Sequence, residues 1–227
     1  MKKNLRESTT SRVETLYEQL RLDIVSGVCP PDSRLATSAI AKRAGVSLSV
    51  VRESLVRLAE NGLADFHPNR GFRVRSVSRE DLIDLTEIRI MIETRALVRS
   101  IERGDVDWEA HVVATHHVLD ARSVNMDSKT GRSPEWIRAH GDFHDALSSA
   151  SGGPRLIQLV RLLRDAGEIY RQLAGPQALE GGRDIRAEHT LIKDLSVSRD
   201  SKKAVQALTD HLQQTTDLLL ERVFTGR

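Results

Sequence analysis

The sequence predicts a mainly α protein in two parts: an N-terminal winged helix-turn-helix over residues 1–76 and a C-terminal all-helical bundle of six helices over 77–227. Three observations predict it. Apolar residues recur at helical spacing along most of the chain. Leu, Ala, Arg and Glu are abundant, while aromatic residues make up 4% and prolines number six, a composition that favours helices. Strand signals are confined to two short apolar stretches on either side of "HPNRG".

The first helix is expected over 12–26, where Val13, Leu16, Leu20 and Ile24 share a face. Gly27 and Pro30–Pro31 stop it. A short helix follows at about 37–44, then a tight turn at Gly45–Val46–Ser47, then a longer helix at about 48–61. Gly45 stands where a left-handed residue is wanted. Val46 is the expected buried turn residue, and Ser47 is a natural N-cap. Ile40, Val51, Leu55 and Leu58 form the shared core. The stretches Leu63–Phe66 and Phe72–Val74 make a hairpin, so that a wing follows the second helix of a helix-turn-helix.

That arrangement reads DNA. The N-terminal turn of the second helix enters the major groove, which puts Ser47, Leu48, Ser49 and Arg52 against the bases and phosphates. Arg52 suits a bidentate contact to guanine, the serines and free N–H groups suit phosphate, and Leu48 suits a thymine methyl. Ser38, Arg70 at the wing tip and Gly71 complete the candidate set. Charge agrees: residues 1–76 hold 13 Lys/Arg against 8 Asp/Glu, whereas 77–227 hold 21 against 24. Only the first part is basic enough to suggest a polyanionic partner.

Beyond residue 77 the expected helices span about 78–102, 107–124, 134–150, 155–173, 184–197 and 201–223. Ser78 with Asp81 resembles a capping box. Leu82, Leu85, Ile88, Ile92 and Leu97 give the first of these helices its apolar face. Ser133–Pro134 is an N-cap followed by proline at the first helical position. "NMDSKTGRS" reads as a loop and "GPQALEGGRD" as a connection.

Histidines break the inward stripes of three helices. The stripes read Ile137–His140–His144–Leu147, Ile185–His189–Ile192–Ser196 and Leu208–His211–Leu212–Thr215. A buried imidazole needs partners for its nitrogens, and one such residue is ordinarily a satisfied core histidine. Four of them point to a divalent metal ion, because an i,i+4 pair from one helix can meet histidines from two others. Neutral imidazoles suit Zn²⁺, Ni²⁺ or Cu²⁺ better than Mg²⁺ or Ca²⁺, and Zn²⁺ is the first expectation. His116 is placed to face inward behind them, His67, His111 and His117 read as surface residues, and Asp142 points away.

Residues 12–76 resemble the winged helix-turn-helix of the GntR family of bacterial transcription regulators, through "GVSxxxVRExLxRLxxxGL" followed by "RGFxV". Leu48 stands where relatives usually carry arginine, and Thr37 and Ala39 where acidic residues are common. Residues 79–222 resemble the FCD ligand-binding domain of the FadR-type branch, through "DLTEIRIMIETRAL", "HGDFHDALSSASGGPRL" and "EHTLIKDLSVSRDSKKAVQALTDHL". The six-helix count fits its smaller subtype. The resemblance implies a metal held by an aspartate and three histidines. His144, His189 and His211 match the histidines, and His140 occupies the aspartate's place. Either His140 ligates there or it stands outside the ligand set. Gly153 replaces an asparagine. The resemblance also implies a small organic acid as effector, with Arg89 beside it and Arg171 as a second candidate. The ordinary alternative for Arg89 is a salt bridge to Glu87, Glu93 or a neighbouring helix.

The reading is therefore a homodimeric, cytoplasmic DNA-binding regulator, a repressor of a pseudo-palindromic operator controlled by a small carboxylate bound next to a divalent metal. An alternative is a regulator for which the metal itself is the signal. A metal-dependent enzyme is the third reading, but HExxH, a nucleophile elbow and a phosphate-binding loop are all missing from the sequence. A single cysteine, Cys29, leaves no internal disulfide and fits a reducing compartment. The opening "MKKNLRESTT" has no apolar segment of the kind a signal peptide needs, and no apolar run approaches membrane length.

Overall fold

The structure, a computed structural model, describes residues 2–123, 133–174 and 183–224, with side chains from residue 11 onward. Most of the expected loop at 125–133 and of the expected connection at 175–184 lies outside the described residues. The chain divides into two compact units, Met1–Val77 and Ser78–Arg227.

The first unit contains helices α1 (Lys2–Val25), α2 (Thr37–Ala44) and α3 (Leu48–Glu60) and strands β1 (Arg34–Leu35), β2 (Ala64–His67) and β3 (Gly71–Val74). Val13, Leu16, Leu20 and Ile24 of α1 are buried with Ile40, Val51, Leu55 and Leu58. Gly45 takes φ +64 between α2 and α3, a conformation that costs any other L-residue more. Ser47 then caps α3 by accepting the Val50 N–H. The sheet order is β1-β3-β2, all antiparallel. At the wing, the Arg70 N–H donates to the His67 carbonyl, with Pro68 next and Asn69 at φ +63. That is the pattern of a turn with proline second and a positive φ third.

Three expectations for this unit need correction. Helix α1 begins at Lys2 rather than near residue 12. Strand β1 was not foreseen, because two residues are too short to alternate. Val46 is half-buried and not fully buried, since the turn around it is open to solvent at Gly45 and Ser47.

The second unit holds α4 (Arg79–Arg103), α5 (Val106–Ser123), α6 (Pro134–Ser148), α7 (Pro154–Ala174), α8 (Ile185–Val197) and α9 (Ser201–Phe224), with a 3-10 turn at Ser149–Ser151. Both foreseen caps form: Ser78 Oγ accepts from the Asp81 N–H at 3.0 Å and Ser133 Oγ from the Trp136 N–H at 3.2 Å. Helix α4 packs against α6, α7 and α9, while α5 packs against α6 and α8. A buried Thr86–Thr216 hydroxyl pair at 2.7 Å ties α4 to α9. Ile88, expected inside, is 38% exposed. The buried side of α4 instead carries Thr86, Glu93 and Ser100 among its apolar residues. Glu93 tolerates burial because Arg89 Nε donates to its Oε1 at 2.7 Å. No helix among the described residues is long and apolar enough to cross a membrane.

Candidate metal centre and nucleic-acid face

Helix α6 presents His140 and His144 one turn apart, with Trp136 one turn earlier. Trp136 stacks on His140 at 4.8 Å between ring centroids. Helix α8 supplies His189 and α9 supplies His211. The four imidazoles are 2–4% exposed, and one nitrogen from each lies within 4.8 Å of the others. Phe143, fully buried, packs its ring edgewise near His144 and His189. It also lies between them and His116, which bonds Thr190 Oγ1 at 3.3 Å and stays outside the set.

The hydrogen bonds divide the four rings. Nε2 of His144 and Nε2 of His189 are buried and have no hydrogen-bond partner. His211 Nδ1 lies 2.8 Å from Glu188 Oε2. An ionised carboxylate only accepts, so Nδ1 carries a proton, and a neutral ring then keeps its lone pair on Nε2. Arg183 holds Glu188 in place: its Nε and Nη2 donate to the two carboxylate oxygens at 2.5 Å, and Nη2 also donates to the His211 carbonyl at 2.8 Å. His140 faces Arg171, whose Nη1 is 3.0 Å from Nε2 and 3.4 Å from Nδ1. Arg171 in turn lies 3.5 Å from Glu168.

Burial holds the imidazoles of His140, His144 and His189 well below the ordinary histidine range. Arg171 adds most to this at His140, and the neighbouring rings do so at His144 and His189. The rings are therefore neutral near pH 7, which is the form that donates a lone pair to a metal. Two orphaned nitrogens, neutral rings at His140, His144 and His189, and a fourth ring oriented by a carboxylate fit a late divalent metal ion. They do not fit an ordinary core, where buried nitrogens find partners.

Arg89 lies elsewhere on the inner side of α4. Its Nε pairs with Glu93, and its guanidinium passes close over Gly167 of α7, where an added Cβ would stand 2.7 Å from Nη1. The structure thus brings Arg171, not Arg89, to the imidazole cluster by direct contact. Sequence reading missed Trp136, Glu168 and Arg183, and the place of Glu188 behind His211. Trp136 was discoverable, four residues before His140 on the same face. The other three reach the site or its surroundings across segments, and no local pattern marks them.

On the first unit, Ser38 is exposed on the first turn of α2, and Leu48, Ser49 and Arg52 are exposed at the start of α3. Ser47 Oγ and Ser49 Oγ lie 2.8 Å apart. Arg43 and Arg57 are engaged with Asp23 and Glu14, whereas Arg52 and Arg70 make no ion pair among the described residues. Gly71 opens β3 at φ +77, immediately after exposed Arg70.

A three-helix unit with a β-hairpin wing, followed by an all-helical domain, defines the two-domain class of bacterial transcription regulators. The chain belongs to the GntR family within that class, in the branch that carries an FCD domain. Residues 12–74 match the family described as bacterial regulatory proteins, gntR family, and residues 84–214 match the FCD domain. It is 33% identical over 214 residues to the HTH-type transcriptional regulator BphR of Paraburkholderia xenovorans, covering 92% of this chain and 85% of that one. It is 28% identical over 199 residues to the HTH-type transcriptional repressor GlaR of Escherichia coli, covering 86% and 90%. Among solved structures, a GntR transcriptional regulator from Rhodococcus sp. RHA1 superimposes with a TM-score of 0.76 at 25% identity, covering 93% of this chain and 98% of that one. The chain is a DNA-binding transcriptional regulator, and its relatives are regulators, repressors among them, rather than enzymes.

Proposed function

We propose that this chain is a homodimeric cytoplasmic repressor that grips a pseudo-palindromic operator and releases it when a small carboxylate binds beside a divalent metal ion. The observation that carries this reading is the pair of unpartnered ring nitrogens on His144 and His189, buried among four converging imidazoles. His144, His189 and His211 hold the ion, and His140 lies beside it against Arg171. Zn²⁺ suits such donors, as do Ni²⁺ and other late transition metals. The bound ion supplies a Lewis-acidic anchor for a carboxylate oxygen. Arg171 supplies N–H donors to the same anion, and Arg89 is a second, more distant candidate already paired to Glu93.

At the operator, Ser47, Leu48, Ser49 and Arg52 face the major groove, with Ser38 on the backbone and Arg70 and Gly71 at the wing. The support is the exposure of the side chains other than half-buried Gly71, and the absence of ion pairs on the two arginines among the described residues. Dimerisation is supported by exposed Ile88 and Met91 on α4 and Leu159 on α7, apolar residues on two helices that pack together. A second reading, with the metal alone as the signal, uses the same cluster and is separated by titrating metal and acid independently.

The test combines two variants and an operator fragment selected from random DNA. Arg52→Ala should weaken specific binding by about 1–3 kcal/mol with helical content unchanged. His144→Ala with His189→Ala should bind operator as the wild type does, yet purify without stoichiometric metal and fail to release DNA. Unchanged operator affinity in the first variant, or retained metal in the second, contradicts the corresponding half of the reading.

A further inference from the structure

We propose that the divalent ion and an organic anion bind at the imidazole cluster as a pair, and that His140 is what makes each depend on the other. The inference rests on the metal reading above and concerns its charge balance. All four candidate donors are imidazoles, with no carboxylate among them, and all four are buried. Neutral donors leave the ion's two positive charges uncompensated.

The carboxylates nearby do not supply the deficit. Glu168 lies 3.5 Å from Arg171, and Glu188 is bound to Arg183 at 2.5 Å, so each is already matched by a guanidinium. The surroundings start close to neutral, and a divalent ion adds a net charge of two among side chains that are almost fully buried. Burying an unpaired charge is heavily penalised. Arg171 Nη1, 3.0 Å from His140 Nε2, adds repulsion toward an incoming cation.

A small carboxylate removes both difficulties. One oxygen meets the ion, another accepts from Arg171, and its negative charge cancels part of the excess. A dicarboxylate cancels all of it, so dianions are favoured over monocarboxylates. An aspartate at position 140 would place a fixed negative charge beside both Arg171 and the ion, and the ion would then stay without help. Coupling is reciprocal: whatever factor the acid adds to metal affinity, the metal adds to acid affinity. The chain thereby responds most strongly to metal and acid together, and each binds more weakly alone.

The test uses the full chain, stripped with chelator and titrated with Ni²⁺ by calorimetry in chloride, acetate or malonate. For the wild type, malonate should tighten Ni²⁺ binding by about tenfold or more, and acetate by less. Malonate complexes Ni²⁺ in solution, which works against the effect sought. His140→Asp, checked for fold by circular dichroism, should bind Ni²⁺ tightly in chloride and gain less than about threefold from malonate. Arg171→Gln should lose most of the malonate effect. Equal wild-type affinity in chloride and malonate overturns this inference and leaves the metal site standing. Failure to take up Ni²⁺ in any of the three anions removes the metal site and this inference together. If His140→Asp does not fold, the wild-type comparison alone decides.

Discussion

An imidazole buried without a partner for its nitrogen costs stability, and here two rings, His144 and His189, bear that cost side by side. A third, His211, is turned with Nδ1 donating to Glu188, which Arg183 fixes in place. This is the pattern of a carboxylate that orients a metal-binding histidine from behind. Glu188→Gln keeps the size of the side chain but removes its charge and leaves Arg183 without its ion pair. It should weaken metal binding by about 10–100-fold, read by competition with a coloured chelator. An affinity equal to the wild type would mean that Glu188 serves only to hold α8 against α9.

At the scale of the element, most helices were legible because periodicity and caps agree. Ser78, Ser133 and Ser47 cap as their spacing implies, and Gly45 ends α2 in the left-handed conformation. Gly45→Ala has room for its Cβ, with nothing within 4 Å, so its cost is conformational. It should lower the stability of the first unit by about 1–2 kcal/mol, measured by denaturant unfolding. No change there would mean that the turn relaxes to another geometry. Periodicity failed where polar side chains are buried in pairs. Ile88 looked like core, yet the Arg89–Glu93 pair lies on the inner side of α4 and Ile88 is left partly in solvent. The metal-site histidines were legible for the converse reason: an imidazole in an apolar stripe violates the local rule. Their partners Arg171, Glu168 and Arg183 were only partly so, since contacts across segments leave no mark in spacing.

At the scale of the whole molecule, charge and chemistry separate along the chain. The basic excess lies before residue 77, with the exposed Arg52 and Arg70, which make no ion pair among the described residues. The buried imidazoles lie after it, in a unit whose other buried charges, such as Arg164 with Asp145, are paired. A family of DNA-binding regulators explains the first unit, and the orphaned nitrogens give the second a task that packing alone does not. The most direct measurement is an anomalous difference map, collected at a metal absorption edge on crystals of protein purified without chelator. The account predicts one peak about 2.0–2.1 Å from ring nitrogens of His144, His189 and His211. Clear density for the rings with no anomalous peak among them, and each Nε2 bonded to water or protein, would contradict it.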